Sequence, residues 1–367
     1  MTLLREHKDP FDWPLFLCVA SIALVGVTNL YSATSAAHSG RSDIYVLQIY
    51  WLTLGSVAAI VCALVDYRYV ERYAWAIYGV GVGLLMLVFL LGREIRGSQR
   101  WIPIGNFALQ PSEFMKVILV IALAKFLHAD SKVEGRTLLD LIVPGAIITV
   151  PIALILIQPD LGTALLLVAT FGTIMMLTQL KWRSIVTLFG VLAGCAPLTW
   201  NYLLKDYQRF RILAFINPES DVLDTGWHAY QSMVAIGSGG WFGKGFMQGT
   251  QNQFRFLPDA PTDFPFPVWA EEHGFCGVII LLGLYAFWTL WGIRIAAQAK
   301  DRFGAVIALG VSATVFWQSV INIGMVAGIV PVVGVPLPLF SYGGSSVITT
   351  MAGVGLLMNV SMRRFRY

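Results

Sequence analysis

Charged residues are scarce in this sequence. Asp, Glu, Lys and Arg make up only 13% of the 367 residues, whereas 57% are hydrophobic and the mean hydropathy is +0.69. About a quarter of the residues in a soluble globular protein are charged, so the composition excludes that class. Repeated apolar stretches of roughly 18 residues or more are typical of membrane-spanning helices. We therefore predict an all-α integral membrane protein, a single polytopic domain over residues 1–367 with no separate soluble domain.

Cysteine and histidine are also rare, with four and five residues respectively. The cysteines (Cys18, Cys62, Cys195 and Cys276) are scattered through apolar segments without C-x-x-C spacing, which argues against a disulfide framework or a zinc site. No second histidine stands at metal-ligand spacing from His273, so we interpret His273 as a packed or interfacial residue. The sequence predicts no dedicated metal site.

Ten apolar segments are predicted to span the membrane. They run approximately over residues 14–33, 47–65, 73–92, 112–127, 141–158, 161–180, 184–204, 267–293, 304–330 and 345–360. Lys and Arg are concentrated in alternate connections, which by the positive-inside rule predicts that both termini face the cytoplasm. Arg5 and Lys8 precede the first segment as they would a signal peptide, but its length favours an uncleaved helix.

Two outer connections are longer than the rest. One covers residues 93–111, and the other covers residues 205–266, between the seventh and eighth predicted helices. Loops longer than about 12 to 15 residues are usually functional or disordered. The second connection is rich in Phe, Trp and Tyr, so we expect a large extracytoplasmic loop that folds over the outer membrane face.

The stretch "PSEFMK", residues 111–116, opens the fourth predicted helix. Glu113 and Lys116 are three residues apart and so share one helix face. They would either form a structural ion pair or line a polar groove, in which Lys116 would contact an anionic head group.

Two further stretches combine glycine with residues that can cap a helix. In "QPDLGTA", Asp160 is placed to cap the sixth helix, and it could also orient neighbouring cations. In "PLPLFSYGGSS", Gly343 and Gly344 permit positive φ, and Ser345 and Ser346 can cap the last helix. That helix start could bind an anion through its backbone N–H groups, or it could be a re-entrant turn with a capped helix.

Acidic residues are concentrated between positions 256 and 275. Asp263 precedes the eighth helix and could be a general base or a helix cap. Glu271 and Glu272 fall inside the helix, where charges need partners, so we expect them to support the site or to pair with outer cations. Asp259 is interpreted as a solvated turn residue.

The glycine-rich stretch "GSGGWFGKG", residues 237–245, is not a phosphate-binding loop. The pattern G-x-x-x-x-G-K-[ST] requires Gly at position 238 and Ser or Thr at position 245, where Ser238 and Gly245 stand. We interpret it as a flexible loop with one useful lysine, Lys244.

Several long motifs resemble one known family. "YQRFRILAFINPESD", "YQSMVAIGSGGWFGKGF", "TDF…AEEHGFCG", "QPDLGTA" and "NIGMVAGIVPVVGVPLPLFSYGGSS" are similar to the SEDS proteins (shape, elongation, division and sporulation). "VVGVPLPLFSYGG" and "QSMVAIGSGG" resemble the elongation branch, RodA (rod shape-determining protein), more than the division branch, FtsW. The resemblance covers nearly the whole chain.

The resemblance implies a ten-helix peptidoglycan glycosyltransferase that polymerises lipid II during cell elongation. It would invert the anomeric configuration and release undecaprenyl pyrophosphate. The aspartate of "TDF", here Asp263, corresponds to the essential acid of the family, and Glu113, Lys116, Glu271 and Glu272 correspond to other family motif positions. Pro265 and Pro267 depart from the family pattern, and they put in doubt where the eighth helix starts.

A departing pyrophosphate requires cations or N–H donors. The candidates for binding it are Lys116, Arg100, Arg209, Arg211, Lys244, Arg255, Ser345 and Ser346, with Glu113 beside them and with Asp160, Glu271 and Glu272 in support. The sequence requires no cofactor, although Mg²⁺ or Mn²⁺ could bridge carboxylate and pyrophosphate.

The resemblance also sets the expected partners and location. The partners are lipid II, membrane lipid, a class B penicillin-binding protein transpeptidase and the elongation complex, with no nucleic acid. The location is the bacterial inner membrane, with the active site on the extracytoplasmic face. The alternatives are a lipid II flippase, an FtsW-like division polymerase and a scaffold for a cell-wall complex.

Overall fold

The computed structural model describes residues 11–35, 43–95, 98–105, 107–130, 136–176, 225–254, 256–257 and 260–364, with isolated positions between 178 and 215. The helices of the first half are α1 (Trp13–Ser35), α2 (Ile44–Leu64), α3 (Tyr67–Arg72), α4 (Ala74–Leu91), α5 (Pro111–Ala129), α6 (Ile142–Ile157) and α7 (Leu161–Met176). Those of the second half are α8 (Thr225–Ser238), α9 (Thr250–Gln253), α10 (Pro265–Ala297), α11 (Arg302–Val326) and α12 (Gly344–Arg363). The described chain is thus the all-α membrane protein predicted from composition.

Seven helices of the described part are long and apolar enough to cross a membrane: α1, α2, α4, α6 with the 3-10 turn Leu139–Leu141 before it, α10, α11 and α12. Two more predicted spans coincide with α5 and α7. Helix α5 has 19 residues but carries Glu113, Lys116 and Lys125, and α7 has only 16 residues. The predicted span 184–204 lies outside the continuously described residues, so the count of ten stays a prediction.

A small antiparallel sheet stands in the outer connection 93–111, where the sequence predicted only a loop. Strands β1 (Arg93–Ile95), β2 (Ser98–Ile104) and β3 (Phe107–Leu109) pair in that order. Strand β2 contains Trp101, Ile102 and Ile104, residue types that favour strands. The sheet leads directly into Pro111, which occupies the first turn of α5, where a missing N–H costs nothing.

Helices α11 and α12 form the centre of the bundle, and α2 lies at its edge. Within the most apolar 18 residues of each helix, 78% are buried in α12, 67% in α11 and 11% in α2. Glycine allows the close contact between α12 and α2, because a Cβ added at Gly355 would meet the backbone of Ala59, with the Cα at 2.8 Å.

Helix α10 is broken one third of the way along. Gly274 has φ 64° and ψ −164°, which is not helical and is accessible essentially to glycine alone. The loop 239–249 supplies hydrogen bonds at this break: Phe275 N donates to Gly240 O at 2.8 Å, and Cys276 N donates to Trp241 O at 3.1 Å. The sequence predicted one uninterrupted span here.

Residues 327–343 connect α11 to α12 without regular structure, and we call this segment the strap. Helix α11 ends at Val326, before the predicted limit of 330, because Gly328 has φ +70° and Pro331 cannot continue the helix. Irregular backbone inside a membrane protein must have its polar groups satisfied by the protein. Side chains from three helices provide this for the strap carbonyls: Val335 accepts from Asn322, Pro336 from Gln318, Pro338 from Tyr285 and Ser341 from Gln48, at 2.7, 2.8, 2.8 and 3.1 Å.

Candidate active site

The strap lies at the end of the bundle where helices α5, α7, α10 and α12 begin and α11 ends. Asp263 lies there, two residues before α10, which starts at Pro265. Pro265 and Pro267 both fall in the first turn, where backbone N–H groups have no intrahelical partner. The two prolines therefore define the start of the helix and do not disrupt it, which resolves the question that they raised in the sequence.

The carboxylate of Asp263 is half-buried and borders the strap. A Cβ added at Gly334 would lie 3.5 Å from Asp263 Oδ2. Two hydrogen bonds hold the loop before α10 in place: Asn322 Nδ2 donates to Asp263 O at 3.1 Å, and Tyr342 N donates to Pro261 O at 2.8 Å. Asp263 does not cap α10, whose N-cap position is Phe264.

Glu113 and Lys116 form the ion pair that their spacing permits. Lys116 Nζ lies 2.6 Å from Glu113 Oε2, and the exposed fraction of the lysine side chain is 2%. Its ammonium also donates to Gln318 Oε1 at 3.3 Å. In this arrangement Lys116 is enclosed by protein, so it would meet a head group only through a change in these contacts.

Asp160 is at the centre of a hydrogen-bond network beside this ion pair. It caps α7 as predicted, because Thr163 N donates to Asp160 Oδ1 at 3.2 Å. Thr163 Oγ1, Gln110 Nε2 and Ser112 Oγ donate to its other oxygen at 2.9, 3.0 and 3.1 Å. Arg100 Nη1 lies 3.4 Å from Asp160 Oδ1, and 21% of the Arg100 side chain is exposed, so Arg100 is a partly accessible cation at this end of the bundle.

Ser345 and Ser346 do not cap α12, contrary to the expectation from sequence. The helix begins at Gly344, so its N-cap position is occupied by Gly343, which has no side chain to form a cap. The two serines lie inside the first turn and bond to other elements. Ser345 Oγ accepts from Gln110 N at 3.0 Å, and Ser346 Oγ accepts from Gln318 Nε2 at 3.4 Å.

The neighbouring glycines do not adopt the left-handed, positive-φ conformation that the sequence suggested. Gly343 has φ 172°, which is extended backbone, and Gly344 is helical. At Gly344 the need is for space, because an added Cβ would lie 2.6 Å from Trp51 Cε2.

Glu271 and Glu272 belong to a second cluster, two turns further along α10 than Asp263. Fully buried Glu271 pairs with Lys244 Nζ at 2.6 Å and accepts from Thr250 Oγ1 at 3.0 Å. Glu272 accepts from Ser32 of α1. The glutamates thus bind the loop 239–253 and α1 to α10, and their contacts do not include Asp263.

The remaining predicted residues belong to neither of these two clusters. Arg209 Nη2 donates to Asn201 O at 2.9 Å, Arg211 is half-buried, and Arg255 and Asp259 lie outside the described residues. The ring of His273 stacks on Trp269 with centroids 3.6 Å apart, as befits a packed histidine. The described residues contain no group of three or more His, Cys, Asp or Glu that could hold a metal ion.

Sequence reasoning missed two buried amides, Gln318 and Asn322, that connect these groups. They lie one turn apart on α11, and both contact the strap. The available signal was a polar pair at i, i+4 inside an apolar span, since polar groups in such spans almost always face the bundle interior.

The arrangement offers one partly buried carboxylate, Asp263, at the same end of the bundle as the enclosed Lys116–Glu113 pair and the partly accessible Arg100. A carboxylate in this setting can accept a proton from a bound hydroxyl group. The fold and the site therefore define a polytopic membrane protein with a candidate acid–base site at one end of its bundle.

The chain belongs to the FtsW/RodA/SpoVE family. The family profile, described as a cell cycle protein, matches residues 12–365. This confirms the resemblance drawn from the motifs.

Relatives match over almost their whole length. The chain is 40% identical over 360 residues to the peptidoglycan glycosyltransferase MrdB of Escherichia coli K12, covering 98% of this chain and 95% of that one. A structure of a peptidoglycan synthase complex that coordinates polymerization and crosslinking matches with a TM-score of 0.83 and 34% identity, covering 97% and 99% of the two chains. The crystal structure of the rod shape determining protein RodA of Thermus thermophilus matches with a TM-score of 0.72 and 31% identity, covering 97% and 98%.

Proposed function

We propose that this protein is a peptidoglycan glycosyltransferase that joins lipid II units into glycan strands during cell elongation. The observation that carries the proposal is the partly buried Asp263 just before α10, whose carboxylate borders the strap that Gln318 connects to Lys116. Full-length similarity to a relative named as a peptidoglycan glycosyltransferase supports it. Lipid II suits such a site because its pyrophosphate lies at the membrane surface while its polyprenol stays in the bilayer.

In the proposed reaction, Asp263 is the general base. The 4-hydroxyl of the acceptor N-acetylglucosamine loses its proton to the Asp263 carboxylate as its oxygen bonds to the anomeric carbon of the donor. The bond from that carbon to the pyrophosphate oxygen breaks, and undecaprenyl pyrophosphate leaves with the electron pair. Attack on the side opposite the leaving group inverts the configuration from α to β.

The leaving pyrophosphate would be stabilised by the cations around the site. Arg100 is the best placed, because it is partly exposed and is held by Asp160. Lys116 would contribute after exchanging its contact with Glu113 for a phosphate oxygen, with Gln318 still bound to its ammonium. Further candidate cations are Arg209 and Arg211 of the 205–266 loop and Lys244, whose side chain is 29% exposed, together with Arg255, which lies outside the described residues.

A divalent cation, Mg²⁺ or Mn²⁺, would arrive with the substrate and not reside in the protein. The residues that the structure describes contain no cluster that could hold one, whereas a pyrophosphate carries negative charge that Mg²⁺ neutralises. Loss of polymer on EDTA addition, with recovery on adding Mg²⁺ or Mn²⁺, would support this. Full activity in EDTA would exclude it.

The proposed location is the bacterial inner membrane, with both termini in the cytoplasm and the site on the extracytoplasmic face. The alternation of Lys and Arg among the connections supports this orientation. The proposed partners are a class B penicillin-binding protein and the elongation complex, supported by the likeness to a chain of a peptidoglycan synthase complex. A role in division is the alternative within the same family.

The test is polymerisation by the purified full-length protein. It would be incubated with labelled lipid II, with and without the partner transpeptidase, and the products resolved by size. We expect glycan polymer and released undecaprenyl pyrophosphate. No polymer under either condition would contradict the proposal.

A lipid II flippase is the second candidate, favoured by the break in α10 at Gly274 and the buried carboxylates beside it. Discontinuous helices and intramembrane charges are typical of transporter binding sites. Reconstituted into vesicles, a flippase would move labelled lipid II between leaflets without forming polymer. Polymer formation without translocation would exclude it.

A further inference from the structure

Two buried amides of α11, Gln318 and Asn322, connect the proposed base with the proposed cation. They are four residues apart, so they lie on the same helix face, about 6 Å apart along the axis. We infer that Gln318 and Asn322 are positioning residues that hold the Asp263 loop and Lys116 in a fixed relation across the strap. This inference rests on the proposed glycosyltransferase function and assigns to these residues no contact with substrate.

Asn322 connects the Asp263 loop to the strap. Its side-chain nitrogen donates to Asp263 O at 3.1 Å and to Val335 O at 2.7 Å, which uses both of its hydrogens. Its oxygen is buried and has no hydrogen-bond partner. Leaving a buried acceptor unsatisfied is unfavourable, so the two donated bonds account for an amide at a position that is 0% exposed.

Gln318 connects Lys116 to the next residue of the same strap. Its oxygen accepts from Lys116 Nζ at 3.3 Å, and its nitrogen donates to Pro336 O at 2.8 Å. Because Val335 and Pro336 are adjacent, the two amides hydrogen-bond to neighbouring carbonyl groups of one strap dipeptide. A shift of that dipeptide would therefore alter both ends of the site together.

Gly334 is the strap residue that lies next to the Asp263 carboxylate. It stands directly before Val335, and an added Cβ there would lie 3.5 Å from Asp263 Oδ2. The strap has no helix or strand of its own, so the two Asn322 bonds and the backbone bond from Tyr342 N to Pro261 O hold Gly334 next to Asp263. Misplacing a reacting group by about 1 Å can lower a rate on the order of 100-fold.

The chain contains a matched control in Asn359 of α12. Asn359 is likewise 0% exposed, donates to two backbone carbonyls (Cys62 O at 2.7 Å, and Val65 O), and has an unpartnered side-chain oxygen. Its bonds join α12 to the end of α2, with no contact to Asp263, Lys116 or the strap. Asn359→Leu therefore removes the same kind of bridge elsewhere in the protein.

The experiment compares Asn322→Leu with Asn359→Leu in melting temperature, kcat and KM for labelled lipid II. We expect both variants to melt at similarly lower temperatures, and only Asn322→Leu to lose kcat, on the order of 10- to 100-fold with KM unchanged. Equal kcat in the two folded variants would overturn the inference, as would a loss in Asn322→Leu confined to KM.

A second substitution keeps the inference testable if Asn322→Leu does not fold. Gln318→Met keeps the length of the side chain and removes its hydrogen bonds to Lys116, Pro336 and Ser346, and it should also lower kcat. Because both amides bind the same dipeptide, the fold reduction in kcat of the double variant should be smaller than the product of the two single reductions. If the reduction in kcat of the double variant equalled that product, the inference that the two amides act through the same dipeptide would be overturned.

Asp263→Asn separates this inference from the proposed function. Inactive Asp263→Asn together with normal kcat in both amide variants would overturn the positioning role alone. Fully active Asp263→Asn would remove the proposed base and, with it, the role assigned to the amides.

Discussion

Lys116 matches the sequence motif, but its ammonium is not available to contact an anionic head group in this structure. Its ammonium is buried, with Glu113 at 2.6 Å and Gln318 at 3.3 Å. A buried ion pair is costly to assemble, and breaking it by removing one partner leaves an uncompensated charge. Removing either partner alone is therefore destabilising, and the intact pair holds a cation next to the strap.

Single and double substitutions of this pair should separate stability from activity. Lys116→Met should destabilise the protein by about 3–5 kcal/mol, because Glu113 would be left as an unpaired buried charge. Glu113→Gln in addition should recover much of that loss, yet polymerisation should remain low in both variants. Unfolding in detergent and glycan synthesis measure the two effects, and recovery of synthesis in the double variant would mean that Lys116 is purely structural.

Local spacing was sufficient to predict some of the site and not the rest. The three-residue spacing of Glu113 and Lys116 predicted their shared face, and the position of Asp160 before α7 predicted its cap. Gln318 and Asn322 were missed because their partners, strap carbonyls and the Asp263 loop, are set by tertiary packing. Ser345 and Ser346 were misjudged because α12 starts one residue earlier than expected, which places both serines inside it.

At the scale of elements, α10 is two helical pieces joined at Gly274. The loop 239–249 bonds to the backbone at that break, and the Lys244–Glu271 pair holds it from the other side. The site end of α10, which carries Asp263 just before its first turn, is thus fixed by contacts away from the strap. Hydropathy alone predicts an unbroken span, because a single glycine does not change the apolar pattern.

Gly274→Ala should disrupt this junction. The backbone conformation at position 274 is strained for any residue with a Cβ, and the added atom would lie 2.7 Å from Phe242 N. We expect a loss of roughly 1–3 kcal/mol in the free energy of unfolding, with faster proteolysis of the loop 239–253.

Gly283→Ala is the matched control on the same helix. An added Cβ there would have no neighbour within 4 Å, so helix propensity should leave stability unchanged or raise it by up to about 1 kcal/mol. Equal effects of the two substitutions would show that the break at Gly274 has no structural role.

At the scale of the whole molecule, composition predicted the class and charge distribution predicted the orientation. The bundle of long apolar helices agrees with the first prediction. The small sheet in the 93–111 connection was not predicted, since three short strands are weak signals beside long apolar helices. The orientation in the membrane stays a prediction.

Cysteine labelling tests that orientation directly. In a background without the four native cysteines, Phe246→Cys in the exposed loop and Ala297→Cys at the opposite end of α10 would be treated with an impermeant maleimide on intact spheroplasts. We expect labelling at position 246 at once and at position 297 only after lysis. The reverse pattern would invert the topology and place the candidate site in the cytoplasm.

The most direct measurement of the central claim is glycan synthesis by Asp263→Asn. The substitution keeps the size of the side chain and its backbone contacts with Asn322 but removes the basic carboxylate. With equal amounts of folded protein and saturating labelled lipid II, a lost general base predicts a fall in rate of about 100- to 10,000-fold, with unchanged melting temperature. Polymer formed at the wild-type rate would contradict the assignment of Asp263 as the base.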